Sequence, residues 1–207
     1  MRLILIRHGR TASNANWLLD TAEPGADLDD VGRRQARDLV AALAPYPVGG
    51  VFASVLVRTQ QTAAPLAQAR GLPVEVLPGL REVGAGDDEL SADARRYLGA
   101  LLAWRDGDLA RRIPGGEDGF DFLARYDAAI GEVAGRGLDC AAAFSHGAAL
   151  RTWCARRVRG FAEAMGDSVF GNTAHLVADG DPDSGWDMVS LEGALPVQAY
   201  FPPSDQP

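Results

Sequence analysis

Two of the three histidines in this 207-residue chain share one local setting: an apolar run, then His, then Gly. The stretches are "LILIRHG" around His8 and "AAAFSHG" around His146. Such runs read as buried strands, and in an open parallel sheet ligands gather at the carboxyl ends of strands, near the point where strand order reverses. Two strands ending this way bring both imidazoles to one crevice, where Gly9 and Gly147 let the backbone turn sharply and approach a ligand closely. The alternative is a pair of satisfied core histidines, and the matched settings weigh against it. Arg7 sets the character of the crevice. Two histidines and an acid can ligate a metal, but a fixed guanidinium beside His8 opposes a divalent cation and favours an anion. Phosphate fits this setting; no metal and no other cofactor is expected.

Arg58, in "SVLVRTQQTA", falls in the first turn or so of a helix that follows a strand. A guanidinium and the free N–H groups of a helix start can act there on one anion; the alternative is an exposed helix arginine. Asn14 can cap the next helix or lend an amide donor to the same anion. His175, the remaining histidine, reads as a structural residue on a strand.

Composition narrows the chemistry further. The chain contains no lysine, so its twenty basic residues are all arginine. A P-loop, a pyridoxal Schiff base and a protein kinase each need a lysine and are excluded. Arginine remains, always charged and able to hold phosphate oxygens with a planar fork. The net charge of −8 repels polyanions, so nucleic acid is not an expected partner and any phosphate must meet a local cluster of arginines. Cys140 and Cys154 lack metal-knuckle spacing and read as buried free thiols of a reducing compartment. The apolar run after Met1 ends at Arg7, too short for a signal-peptide core or a membrane span, so a cytoplasmic protein without membrane contact is expected. Nothing in the sequence sets an oligomeric state.

The elements that must position these residues alternate between strand and helix, the pattern of a mostly parallel sheet covered on both faces. Strands are expected over 2–7, in "GVFAS", in "PVEV" and in "LDCAAAFSH". Helices are expected over "LDDVGRRQARDLVAALA", ended by Pro45 and Pro47, from near Ser54 with its hydroxyl as N-cap, over 91–112, over 118–133 and after Gly147. "NTAHLVAD" and "WDMVSLEG" read as a hairpin at one sheet edge, joined by "DGDPDSG". The expectation is one domain over 1–207, a three-layer α/β sandwich with an antiparallel edge, and a loose tail over 197–207.

With these residues in view, the chain resembles the histidine phosphatase superfamily, which includes the cofactor-dependent phosphoglycerate mutases. "LIRHGRTASN" matches that family's R-H-G-x-T-x-x-N pattern at Arg7, His8, Gly9, Thr11 and Asn14. "LDDVGRRQA" resembles its L-[ST]-x-x-G-x-x-Q-A helix start, with Asp29 where Ser or Thr is usual, and "SVLVRTQQTA" is similar to its S-x-L-x-R-[AT]-x-Q-T-A block. "LREVGAG", "PGGED" and "FSHGA" resemble three further blocks in the family's order. The resemblance implies a phosphoglycerate mutase-like fold, with His8 as a nucleophile that forms a phosphohistidine. It implies that Arg7, Arg58, His146 and Asn14 hold the phosphoryl oxygens, and that Glu82 protonates the leaving oxygen. A phosphoryl group in transfer spreads charge over its oxygens, a task that suits arginines and a protonated imidazole. His8 must present a neutral ring nitrogen, its other nitrogen donating to a carbonyl. After Glu82 the family's Trp and final Gly are missing, which makes Asp87, Asp88 and Glu89 rivals for the proton.

Residues 86–114 are expected as a lid or specificity insertion. Its Arg95, Arg96, Arg105, Arg111 and Arg112, with Tyr97 and Trp104, can bind a second acidic group of the substrate, Arg95 and Arg111 foremost. They can equally be the solvated face of a helix with Trp104 in the core. The functional expectation is a metal-independent phosphomonoesterase acting on a small phosphate ester. The alternatives are a mutase-type isomerase and a weakly active phospho-ligand-binding module. The short insertion, and a tail without basic residues, favour hydrolysis.

Overall fold

The computed structural model describes residues 1–196, so the tail expected over 197–207 lies outside the described residues. Its centre is a seven-stranded sheet in the order β3-β2-β4-β1-β6-β7-β5. The strands are β1 (Arg2–Arg7), β2 (Gly50–Ala53), β3 (Val74–Val76), β4 (Cys140–Ser145), β5 (Val158–Arg159), β6 (Ser168–Asp181) and β7 (Gly185–Pro196). β1 runs parallel to β4, β4 to β2, and β2 to β3. On its other side β1 pairs antiparallel with β6, which forms the expected edge hairpin with β7.

The period-two alternation of the strands produces the layers. In β1, Leu3 and Leu5 point into one core and Ile4 and Ile6 into the other. β4 divides likewise, Ala141 and Ala143 against Cys140, Ala142 and Phe144. The Leu3/Leu5 face is covered by α4 (Arg95–Asp106), α5 (Gly119–Ala134) and α6 (Gly147–Arg157). The Ile4/Ile6 face is covered by α2 (Asp30–Ala42) and α3 (Val57–Arg70). Both cysteines are buried and free, one on each face.

Two short helices, α1 (Ala12–Ala15) and α7 (Phe161–Met165), escaped the sequence reading. Four residues carry too little periodicity to register; α1 exists because Thr11 and Asn14 form a reciprocal capping box. Asp29, the departure from the family pattern, caps α2 by accepting from Gly32 N at 2.8 Å, the same task a serine or threonine performs. Two boundaries needed correction. The helix expected over 91–112 spans only Arg95–Asp106, because Gly107 adopts a left-handed conformation (φ 110°) at its end. α3 starts at Val57 with Leu56 as N-cap, so Ser54 is no cap.

Candidate active site

β1 is the strand at which pairing changes from parallel to antiparallel, and the register sets Arg7 opposite Ser145. The next residues, His8 and His146, therefore leave the sheet side by side, their ring centroids 5.2 Å apart. Arg58 reaches them from the first turn of α3. All four side chains are enclosed: Arg7 is 5% exposed, His8 2%, Arg58 3% and His146 0%.

His8 is held in one tautomer. Its Nδ1 lies 2.7 Å from the Gly9 carbonyl, which can only accept, so Nδ1 carries the proton. Its Nε2 accepts from Arg58 Nε at 3.1 Å and so presents a lone pair. Burial, with Arg58 and then Arg7 nearby, drives the His8 pKa well below 6.5. The neutral ring that the resemblance requires thus has a physical cause. The backbone of His8 is braced as well. Its carbonyl accepts from Asn172 Nδ2 and from Thr173 N, at 3.1 and 3.3 Å. Thr173 sits at φ 62° in the irregularity that interrupts the β6–β7 register between Phe170 and His175. A β-branched residue there costs about 1–3 kcal/mol, strain of the kind found where structure serves a site.

Arg7 donates from Nη1 to the Phe170 carbonyl. A Cβ on Gly147 would stand 3.2 Å from Arg7 Nε, so the glycine lets that guanidinium lie against the start of α6. At Gly9 a Cβ would meet Gly32 O at 2.7 Å, so its small size lets the β1 loop pack on α2.

His146 contacts Ser54, a residue the sequence marked only as a cap. Ser54 Oγ accepts from Leu56 N at 3.2 Å and lies 2.7 Å from His146 Nε2. The same hydroxyl lies 3.1 Å from Thr59 Oγ1; we assign its proton to Nε2, the shorter of the two contacts, which puts the proton of the ring on Nδ1. That Nδ1, and Nη1 of Arg58, are buried without a hydrogen-bond partner among the described residues. A buried unsatisfied donor costs about 1–3 kcal/mol, which an anionic oxygen would recover. The protonated imidazole expected here is corrected: burial, then Arg58, His8 and Arg7, hold the His146 pKa well below 6.5, which favours the neutral ring.

Asn14 takes part in capping α1. Its Oδ1 accepts from Thr11 N and Asn172 Nδ2, at 3.2 and 3.1 Å, which turns its amide NH2 away as a donor. Arg58 is fixed by a loop the sequence did not single out: Nη2 donates to the Asp20 carbonyl at 2.7 Å, and Nη1 lies 3.6 Å from Asp20 Oδ1. Gly25, at φ 72°, packs on the same guanidinium, where a Cβ would stand 2.4 Å from Nη1.

Glu82 is seated on the start of α6, accepting from Ala149 N at 2.7 Å, Ala148 N at 3.2 Å and its neighbour Val83 N at 2.9 Å. Burial of the carboxyl raises its pKa above 4.5, and those N–H groups and Arg58 oppose the rise without cancelling it. The rival acids have other surroundings. Asp88 pairs with Arg96, Glu89 accepts from Thr21 and Ala22 of the Asp20 loop, and Asp87 is exposed.

Arg95 and Arg111 do not join the cluster. Arg95 is 89% exposed and bound to Asp93, and Arg111 is exposed. α4 buries Tyr97, Ala100 and Trp104 and turns its arginines outward, so of the two readings left open the solvated face is the one seen. His175 lies in β6 opposite Ile6. Among the described residues, no group of three or more His, Cys, Asp and Glu side chains is arranged to hold a metal ion, and no helix is long and apolar enough to cross a membrane.

The chain is similar to several known proteins. The chain is 36% identical over 212 residues to the PE-PGRS family protein PE_PGRS11 of Mycobacterium tuberculosis, covering 93% of this chain but only 36% of that protein. It is 36% identical over 149 residues to glucosyl-3-phosphoglycerate phosphatase of Mycolicibacterium vanbaalenii, covering 70% of this chain and 64% of that one. The chain therefore spans about a third and just under two thirds of these two relatives. Among solved structures, a mycobacterial glucosyl-3-phosphoglycerate phosphatase complexed with VO3 superposes with a TM-score of 0.77 at 26% identity, over 94% of this chain and 99% of that one. A family model described as "Histidine phosphatase superfamily (branch 1)" matches residues 3–192. With the fold and that match in agreement, the chain belongs to the histidine phosphatase superfamily.

Proposed function

We propose that the chain is a phosphomonoesterase that hydrolyses a small phosphate ester through a phosphohistidine on His8, without a metal ion. One observation carries the reading: His8 Nδ1 is tied to the Gly9 carbonyl while Nε2 offers its lone pair among buried arginine donors. In the first step the phosphorus bonds to Nε2 and the ester oxygen leaves with the proton of Glu82. Donors of Arg7, Arg58 and Asn14, and the His146 Nδ1–H, hold the phosphoryl oxygens. In the second step water attacks the phosphorus, gives a proton to ionised Glu82, and the P–N bond breaks to restore neutral His8. An acid and base acting in this way contributes about 10²–10⁴-fold.

We assign the leaving group to a cavity of about 370 Å³ whose lining includes Thr21, Glu23, Leu56, Arg81, Gly84 and Glu89; Arg81 precedes Glu82 in the chain. One arginine against two carboxylates suits a hydroxylated leaving group and disfavours a second phosphoryl group, which favours hydrolysis over isomerisation. The relative from Mycolicibacterium vanbaalenii is named a glucosyl-3-phosphoglycerate phosphatase, which supports the phosphatase reading.

The test is release of phosphate from p-nitrophenyl phosphate and from a panel of sugar and hydroxy-acid phosphates, with chelator present. Turnover should survive chelation, and an acid-labile phosphoenzyme should form and vanish in His8→Ala. Wild-type turnover by His8→Ala, or loss of turnover on chelation, would overturn the proposal.

A further inference from the structure

The "PGGED" block has no part in the cluster, yet the structure ties it to the acid that the reaction needs. Its Glu117 and the α5 residue Arg125 form a nearly enclosed pair, their side chains 9% and 15% exposed. Arg125 Nε and Nη2 meet the two carboxylate oxygens of Glu117 at 2.7 and 2.6 Å. The rest of the guanidinium turns to the backbone that carries Glu82. Nη1 donates to the carbonyls of Gly79 and Arg81, at 2.8 and 2.9 Å, and Nη2 to the carbonyl of Glu82 itself at 3.0 Å. Glu117 closes the ring by accepting from Gly84 N at 3.4 Å.

All five N–H groups of one guanidinium are thus used, two on the carboxylate that orients it and three on the backbone carbonyls of one short segment. That segment has little regular structure to fix it: a 3-10 turn at Pro78–Leu80, then neither helix nor strand until a second 3-10 turn at Gly86–Asp88. The far end of Glu82 is set by α6, through Ala148 N and Ala149 N. Its near end is set by Arg125.

We propose that Arg125 and Glu117 are positioning residues for the proton donor, fixing the Glu82 backbone so that its carboxyl meets the leaving oxygen. The proposal rests on the reading of Glu82 as general acid. A shift of about 1 Å in such a group costs on the order of 10²-fold in rate. The cost should depend on how much the leaving group needs a proton: an alkoxide needs it throughout, whereas p-nitrophenolate departs almost without it.

The experiment compares kcat/KM, which reports the first phosphoryl transfer, for p-nitrophenyl phosphate and for glycerol phosphate. Wild type, Arg125→Lys, Glu117→Gln and Glu82→Gln are measured well below their unfolding temperatures. Lysine keeps the charge but offers three donors in place of five, without the planar fork. Glu82→Gln should lose on the order of 10²-fold or more on glycerol phosphate and only a few-fold on the aryl ester. If that selectivity is absent, the reading of Glu82 fails, whatever the pair does. Given that selectivity, Arg125→Lys should show the same pattern at about 10²-fold, and Glu117→Gln a weaker version of it. Equal losses on both substrates, or no loss on either, would overturn the positioning role. Should Arg125→Lys fail to fold, Glu117→Gln decides the question by the same ratio.

Discussion

Replacing Ser54 with alanine tests the assignment of the His146 proton. The hydroxyl is completely buried and lies 2.7 Å from His146 Nε2 while accepting from Leu56 N at 3.2 Å. Its removal leaves one ring nitrogen and one amide unsatisfied, at about 1–3 kcal/mol for each group. Because the amide bond is long, we expect a total near the lower half of that sum, about 2–4 kcal/mol. At roughly 2–4 °C per kcal/mol for a chain of this size, the unfolding midpoint falls by about 4–16 °C. The effect on rate has another origin. Without the serine proton, His146 is free to carry its hydrogen on Nε2, which turns Nδ1 from a donor into an acceptor facing the phosphoryl oxygens. Complete loss of one such donor costs about 10²–10³-fold. A shared tautomer population should cost less, and we expect at least about a tenfold fall in kcat/KM, or roughly 1.4 kcal/mol. The assay is phosphate release at a temperature where circular dichroism shows the variant folded. Unchanged kcat/KM in the folded variant would refute the tautomer assignment.

The pH profile and the outer arginines supply two further checks. The active form needs neutral His8 and protonated Glu82; burial lowers the pKa of the first and raises that of the second. Activity should therefore be lost on the acid side only well below pH 6.5, and on the alkaline side above the ordinary glutamate value of 4.5, the two limbs belonging to the coupled site. An acid limb centred at or above 6.5 in kcat/KM would contradict the burial argument. Arg95→Ala and Arg111→Ala, both exposed, should leave kcat/KM for any active substrate within about twofold of wild type; a rise in KM confined to substrates with a second acidic group would restore them to the site.

Legibility in the sequence followed the range of the interactions. Alternation in "LILIR" fixes which face of β1 each residue takes, and a histidine and glycine after each apolar strand mark where the chain leaves the sheet. Both are local patterns, and both reach the cluster. Ser54, Asp20, Asn172 and Arg125 were out of reach for one reason. Their contacts join residues far apart in the chain, 92 positions for Ser54 and His146 and 164 for Asn172 and His8, and leave no period or spacing to read. Local rules even misled at Ser54, since a serine between a strand and a helix is the usual signature of an N-cap. The arginines of α4 show the reverse case. Their number suggested a ligand, but the same helix carries Tyr97, Ala100 and Trp104 at spacings that select the inward face, and the charged residues take what is left.

The cluster also shows why affinity for an anion and readiness of the nucleophile are one property here. Two protonated imidazoles with centroids 5.2 Å apart would repel by about 3 kcal/mol at an effective dielectric of 20. Arg7 and Arg58 would add to that repulsion. Burial withholds the water that could screen it, so the imidazoles give up their protons and the guanidiniums, which cannot, keep their charge. The potential that empties His8 Nε2 of a proton is the same one that draws an anionic phosphoryl group to it, even on a chain whose net charge is −8. Lysines in place of these arginines could relieve the strain by losing protons themselves, which would weaken the hold on phosphate and remove the influence that keeps His8 neutral. A chain that builds its site from arginine alone holds both effects in place.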